Sequence, residues 1–78
     1  MNLVVEFETI KSEEIKFGNS NFLEIARKKA ISDEGENTFI SISRGFMTMN
    51  GEKRYRKSFA IPLDEKVIAF VAENLKKI

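Results

Sequence analysis

Hydrophobic and polar residues alternate along much of this chain with the two-residue period of half-buried β-strands. Residues 3–10 combine β-branched and aromatic side chains with glutamates, which predicts a first strand. Lys11 to Glu14 are predicted as a turn. A short second strand then covers Ile15 to Phe17, and Gly18-Asn19-Ser20 closes it.

Residues 22–30 are compatible with two structures. Asn21 is a suitable N-cap for a helix, and the residues that follow it have good helix propensity. Leu23 and Ile25 also alternate with polar neighbours as they would in a strand. The strand is favoured narrowly, because the strands predicted on both sides need a partner.

A β-hairpin follows in the second half of the chain. Residues 38–48 alternate isoleucines with serines, and residues 53–61 form the returning strand. Asn50-Gly51 between them is the strongest short-range hairpin signal. Pro62 is predicted to end the second strand, because it cannot donate to a ladder.

The last segment, residues 63–78, is predicted to be an amphipathic helix. Acidic residues occupy its first turn and lysines its last, which complements the helix dipole. An apolar arc of about 140° is expected on this helix. It consists of Val67, Ile68, Val71, Ala72, Leu75 and Ile78. Phe70 lies outside that arc, so the helix either has a wide core face or meets a second subunit.

The whole chain, residues 1–78, is expected to be a single α+β domain, with four to five antiparallel strands and one C-terminal helix. So short a chain buries a thin core, and without cysteine it has no disulfide, which favours oligomerisation. No apolar run is long enough to cross a membrane, and the N-terminus lacks a signal-peptide pattern, so a cytoplasmic location is expected. The abundant Lys and Glu and the absence of Gln lean toward a thermophile.

Catalysis is not expected. The chain has no histidine to activate a nucleophile or bind zinc, and its four glycines are isolated, which excludes a phosphate-binding glycine loop. The carboxylate pairs fall in predicted turns and are interpreted as solvated. We therefore predict a protein that is not an enzyme and uses no metal or cofactor.

The net charge of +1 hides a basic block, because residues 37–61 contain five basic side chains and one acidic side chain. In a regular pleat, Arg54 and Arg56 share a face with the serines of the preceding strand, while Tyr55 shares the opposite, core-forming face with the isoleucines and Phe46. This core-forming face is expected to pack against the C-terminal helix. Arginines contact phosphates and stack on bases, and exposed aromatic rings add base stacking.

These features predict a protein that binds single-stranded nucleic acid, DNA in the first place and RNA as the open alternative, on one face of a sheet. The predicted contact residues are Arg27, Lys28, Phe39, Ser41, Ser43, Arg44, Arg54, Tyr55, Arg56 and Lys57. The competing interpretation is an ordinary solvated hairpin in a protein-interaction or scaffold dimer.

The second half of the chain resembles the positive-cofactor-four type of single-stranded-DNA-binding domain, related to the Whirly type. The resemblance rests on Phe39-Ile-Ser-Ile-Ser-Arg-Gly-Phe46, the turn at Asn50-Gly51, the basic strand that ends at Pro62, and the terminal helix. It implies a curved antiparallel sheet that binds single-stranded DNA, and a homodimer formed through the helix. The predicted dimer interface is Val67, Phe70, Val71 and Asn74. This chain lacks the tryptophan often found in the family's helix.

Overall fold

The computed structural model describes residues 5–78, which form one antiparallel sheet followed by one helix. The elements are β1 (Glu6–Phe17), β2 (Asn21–Ser32), β3 (Gly35–Met47), β4 (Lys53–Pro62) and α1 (Glu65–Lys77). The strands are hydrogen-bonded in chain order, so β1 and β4 are the edges of the sheet. The predicted α+β class and the C-terminal helix are therefore confirmed, with four strands.

The first strand is longer than predicted, and the turn expected over Lys11 to Glu14 does not exist. These residues are paired with β2, Glu14 opposite Glu24 for example, and an irregularity between Thr9 and Lys11 interrupts the register. The charged run looked like a turn because it lies on an edge strand whose residues are all exposed. The start of the predicted strand, residues 3 and 4, lies outside the described residues.

The ambiguous segment is a strand, as predicted. β2 pairs along its whole length with β1 on one side and β3 on the other. A central position supplies backbone partners on both edges, and this tertiary context outweighs the local helix propensity of the segment.

The predicted hairpin lies where Asn50-Gly51 indicated. Thr48 and Glu52 are the last hydrogen-bonded pair, so the loop between them has three residues, 49–51. The Gly51 amide donates to the Thr48 carbonyl at 3.0 Å, and the Thr48 amide donates to the Glu52 carbonyl at 2.8 Å. Gly51 has φ +82°, a left-handed conformation that glycine adopts without steric cost. This is a turn followed by a left-handed glycine, the common three-residue hairpin connection.

The sheet has two faces, because residues directly opposite each other in an antiparallel ladder point to the same side. We call one the serine face and the other the isoleucine face. The serine face carries Phe7, Phe22, Ala26, Phe39, Ser41, Ser43, Tyr55, Ser58 and Ala60. The isoleucine face carries Ile15, Leu23, Ile25, Ile40, Ile42, Phe46, Phe59 and Ile61.

A β-bulge in β4 corrects the predicted distribution of the basic residues. Arg44 is paired with Lys57 and the next residue, Gly45, with Tyr55, so Arg56 is the extra residue. Beyond the bulge the alternation is inverted. Arg54 therefore lies opposite Phe46 on the isoleucine face, and Tyr55 lies on the serine face. The regular pleat assumed from the sequence gave the reverse assignment for both.

The small core lies on the serine face, against the prediction that the isoleucines form it. Phe22 and Ala26 are the buried apolar side chains of the described residues, and Ser41 and Ser43 are buried beside them. On the isoleucine face, Ile25 is 49% exposed and Phe59 is 60% exposed.

The helix does not pack on the isoleucine face, contrary to the prediction. It begins after Asp64, whose carboxylate accepts from the Lys66 amide at 2.8 Å, and none of its residues is buried. Within residues 5–78 it makes at most marginal contact with any of the four strands. Both the isoleucine face and the apolar side of the helix are thus open in the single chain.

Candidate nucleic-acid interface

The two serines predicted to contact nucleic acid, Ser41 and Ser43, are hydrogen-bonded within the protein. Ser58 Oγ lies 2.7 Å from Ser43 Oγ and 3.3 Å from Ser41 Oγ, and the latter two are 3.4 Å apart. Ser41 and Ser43 are 5% and 3% exposed. Three short hydroxyl side chains from two neighbouring strands thus satisfy one another, and the two on β3 are not available to a phosphate.

Tyr55 is also engaged in packing on the serine face. Its ring meets the buried Phe22 ring edge to face, with centroids 5.2 Å apart, and its hydroxyl is 3.2 Å from a Glu24 carboxylate oxygen, to which it donates. Burial raises the pKa of the Tyr55 phenol, and the negative charge of Glu24 and the hydrogen bond to it act in the same direction. The side chain is 54% exposed as a residue, yet both its ring and its hydroxyl have partners.

Lys53 connects three strands across this face. Its ammonium group pairs with Glu14 on β1, lies 3.8 Å from Glu24 on β2, and sits 5.2 Å from the centroid of the Phe22 ring. The hydrogen bond to Glu14 raises the pKa of Lys53, and desolvation acts in the opposite direction. Lys53 gave no signal in the sequence, because nothing local shows that Gly45 leaves room for side chains of β4 to reach over β3 to Phe22.

Phe39 and Lys28 lie together at the other end of the serine face. They are directly opposite each other on β3 and β2, and the Phe7 ring packs edge to face against Phe39, with centroids 6.3 Å apart. An open hollow beside them is lined by residues of the sheet and of the connection to the helix, including Pro62 and Leu63. The predicted base-stacking ring is thus far along the strand from Arg44 and on the opposite face.

The isoleucine face carries the cationic site. Arg44, Arg56 and Lys57 line an open hollow of about 470 Å³ together with Asn21 and Phe46. The bulge creates this cluster, because it places the adjacent residues Arg56 and Lys57 on one side of the strand. The Arg56 guanidinium carbon lies 5.6 Å from the centroid of the Phe46 ring, within cation–π range.

Unpaired positive charge is concentrated in this hollow. Within residues 5–78, none of its three cations forms an ion pair, and no acidic side chain lines it. Arg54, on the same face, has Glu52 at 3.4 Å. Arg27 lies in a separate small hollow that also contains Lys11 and Glu13.

The structure therefore brings together three of the ten residues predicted to contact nucleic acid, and adds Asn21 and Phe46 to them. Phe46 was visible in the sequence as an aromatic ring near the hairpin end, but its alternation placed it with the core. Asn21 gave no signal beyond a capping preference, because only the pairing of β2 with β3 places it opposite Phe46.

The predicted dimer residues all lie on the open helix. Val67, Val71 and Asn74 are half-buried, and Phe70 is 65% exposed. The Asn74 side-chain amide donates to the Phe70 carbonyl at 2.8 Å, a bond within the helix that leaves the Phe70 ring uncovered.

Comparisons of this chain with protein-family models, with curated proteins and with solved structures gave no match. Within residues 5–78, no helix has the length and apolar character to cross a membrane. The same residues contain no group of three or more side chains of the types that ligate metals placed to hold an ion.

Proposed function

We propose that this protein binds single-stranded nucleic acid through the hollow formed by Arg44, Arg56 and Lys57. The observation that carries the proposal is that three unpaired cations line one hollow with a half-buried aromatic ring, Phe46. Arginine side chains donate paired hydrogen bonds to phosphate oxygens, and an aromatic ring stacks on any base. The combination suits a flexible strand whose bases are accessible, and it predicts little dependence on base sequence.

The element order supports the proposal in a second way. An antiparallel sheet followed by one helix is the order that the resemblance to the positive-cofactor-four type implies. The two irregularities, in β1 near Thr9 and in β4 at Arg56, bend and twist strands, which favours the curved sheet of that type.

We also propose that the working form is a homodimer. The apolar side of the helix and the isoleucine face are both open, and a chain this short gains stability by covering them. A second copy supplies a matching helix with the same exposed Phe70. The cationic hollow lies at the hairpin end of the isoleucine face, away from Ile40 and Ile61, so a subunit seated on the apolar part leaves the hollow open.

The test is fluorescence anisotropy of labelled DNA and RNA oligonucleotides, single-stranded and duplex, titrated with protein at several salt concentrations. We expect tighter binding of single strands, with affinity that falls steeply as salt rises. The double variant Arg44→Gln, Arg56→Gln should reduce the slope of log K against log salt by about 1.4, since each contacted phosphate of a single strand contributes about 0.7.

The matched control is the double variant Lys16→Gln, Lys29→Gln, which removes the same charge from sheet positions outside the hollow. A nucleic-acid interface at the hollow requires that the control keep most of the affinity that the arginine pair loses. Equal losses in the two variants would show that binding is diffuse, and binding that survives without the arginines would exclude the site. Phe46→Leu, which keeps an apolar residue without a ring, should weaken binding by about 1–3 kcal/mol if a base stacks there.

The alternative function is a protein-interaction or scaffold dimer, favoured by the exposed Phe59 and Phe70. Under this hypothesis oligonucleotides do not bind even at low salt. Phe70→Glu then abolishes the interaction, while the arginine variants leave it intact.

A further inference from the structure

The three positive charges of the cationic hollow lie close together and are not distributed along a β-strand. Arg44 and Lys57 are directly opposite each other on β3 and β4, an arrangement of like charges that is unfavourable in a sheet. Arg56 follows on the bulge and brings a third positive charge to the same place. A bound anion relieves this repulsion, and an anion with more than one negative charge relieves more of it.

The remaining cations of the isoleucine face do not extend the hollow into a track. Arg54 is next along β4, but the Glu52 carboxylate lies beside it. Arg27 and Lys11 belong to a separate hollow that also contains an acidic residue, Glu13, and Lys29 pairs with Glu36 at 3.6 Å. A strand that lay across the whole face would therefore meet its densest positive charge, three cations without an acidic neighbour, at the cationic hollow.

The size of the hollow agrees with a ligand of one nucleotide. Its volume of about 470 Å³ is within the range of about 300–1,000 Å³ that small-molecule sites occupy. Phe46 offers a ring for the base, and the Asn21 side-chain amide offers a donor and an acceptor to the sugar or the base edge. Phosphate groups inside a strand carry one negative charge, whereas a terminal phosphate monoester carries about 1.5–2 at neutral pH.

We infer that this hollow binds the terminal phosphate of a single strand, with the last nucleotide seated against Phe46, so that the protein prefers phosphorylated strand ends. The inference rests on the proposed function and specifies the ligand of the same site. The three cations contact the monoester, and the rest of the strand leaves the hollow with weaker contacts.

The experiment compares oligonucleotides of one sequence that carry a 5′-phosphate, a 3′-phosphate or hydroxyls at both ends. An oligonucleotide two nucleotides longer with hydroxyl ends controls for total charge. We expect one phosphorylated end to bind about tenfold more tightly than both hydroxyl oligonucleotides, which corresponds to one additional charge-assisted contact. A nucleoside monophosphate should displace the bound oligonucleotide at concentrations where the nucleoside does not.

Arg56→Gln should remove the preference for the phosphorylated end. The single variant Lys16→Gln, which removes one positive charge outside the hollow, should retain it. Equal affinity for phosphorylated and hydroxyl ends, with binding that still depends on salt and on the arginines, would overturn this inference and leave the proposed function standing. Absence of binding by every oligonucleotide would overturn both. A preference that survives in Arg56→Gln would place the end elsewhere and would also overturn the inference.

Discussion

Gly45 is the position where one added methyl group should affect both faces of the sheet. A Cβ built on Gly45 would lie 2.1 Å from the Arg54 carbonyl oxygen and 2.9 Å from Cζ of Phe22. The first atom belongs to the backbone of β4, which approaches closely next to the bulge, and the second belongs to a fully buried ring. Neither can withdraw as an exposed flexible side chain would.

The expected effect of Gly45→Ala is a large loss of stability. The closest contact is 0.9 Å shorter than the 3.0 Å that real Cβ atoms keep, so β4 must move away from β3 at Arg54. Overpacking of this kind costs about 1–3 kcal/mol, and about 2 kcal/mol lowers the melting temperature of a domain of this size by about 8–16 °C. The displaced segment includes Arg56, so binding at the cationic hollow should weaken as well.

Thermal unfolding followed by circular dichroism, at one fixed protein concentration, measures the stability change. Gly35→Ala is the matched control, because a Cβ there meets no atom within 4 Å and its cost comes only from the positive φ of +133°. The steric explanation predicts a larger loss at Gly45, whose φ is not positive. A melting temperature within about 2 °C of the parent for Gly45→Ala would refute the close approach of β4 to β3.

Three further predictions concern the phenol, the hydroxyl cluster and the helix cap. Tyr55 is the only tyrosine and there is no tryptophan, so ultraviolet absorbance reports its ionisation alone. Its midpoint should lie above the ordinary tyrosine pKa of about 10. Folding raises the pKa values of Tyr55 and Lys53, so the stability that these two groups contribute is complete below about pH 10 and is lost as pH rises through their pKa values in the folded protein. Denaturation at a series of alkaline pH values will measure this loss. An ordinary titration midpoint for Tyr55 would contradict the prediction. Ser58→Ala should cost about 1 kcal/mol in urea unfolding, because buried Ser43 loses its 2.7 Å partner; an unchanged midpoint would show that the hydroxyl bond is not formed. Asp64→Ala should reduce the helical signal at 222 nm, because a helix of 13 residues depends on its cap, whereas Asp64→Asn should preserve the signal. Equal signals in the two variants would show that the helix is held by other contacts.

The pattern of residues was sufficient to predict the secondary-structure elements that depend on local chemistry. The alternation of isoleucine and serine in β3, Gly51 in the left-handed turn, and the charges at the two ends of α1 each act within a few residues, so they can be recognised without a fold. The charged stretch of β1 was wrongly predicted as a turn, because an exposed edge strand and a turn have the same polar composition.

The sequence by itself determined the α+β class, a hairpin at Asn50-Gly51, a terminal helix and a block of positive charge. Only the tertiary structure decided which side chains share a face, because the single extra residue at Arg56 inverts the alternation of everything between it and the hairpin loop. That inversion moved Arg54 to the isoleucine face and gathered Arg56 with Arg44. A bulge arises from the pairing of two strands, and the alternation within either strand alone does not reveal it.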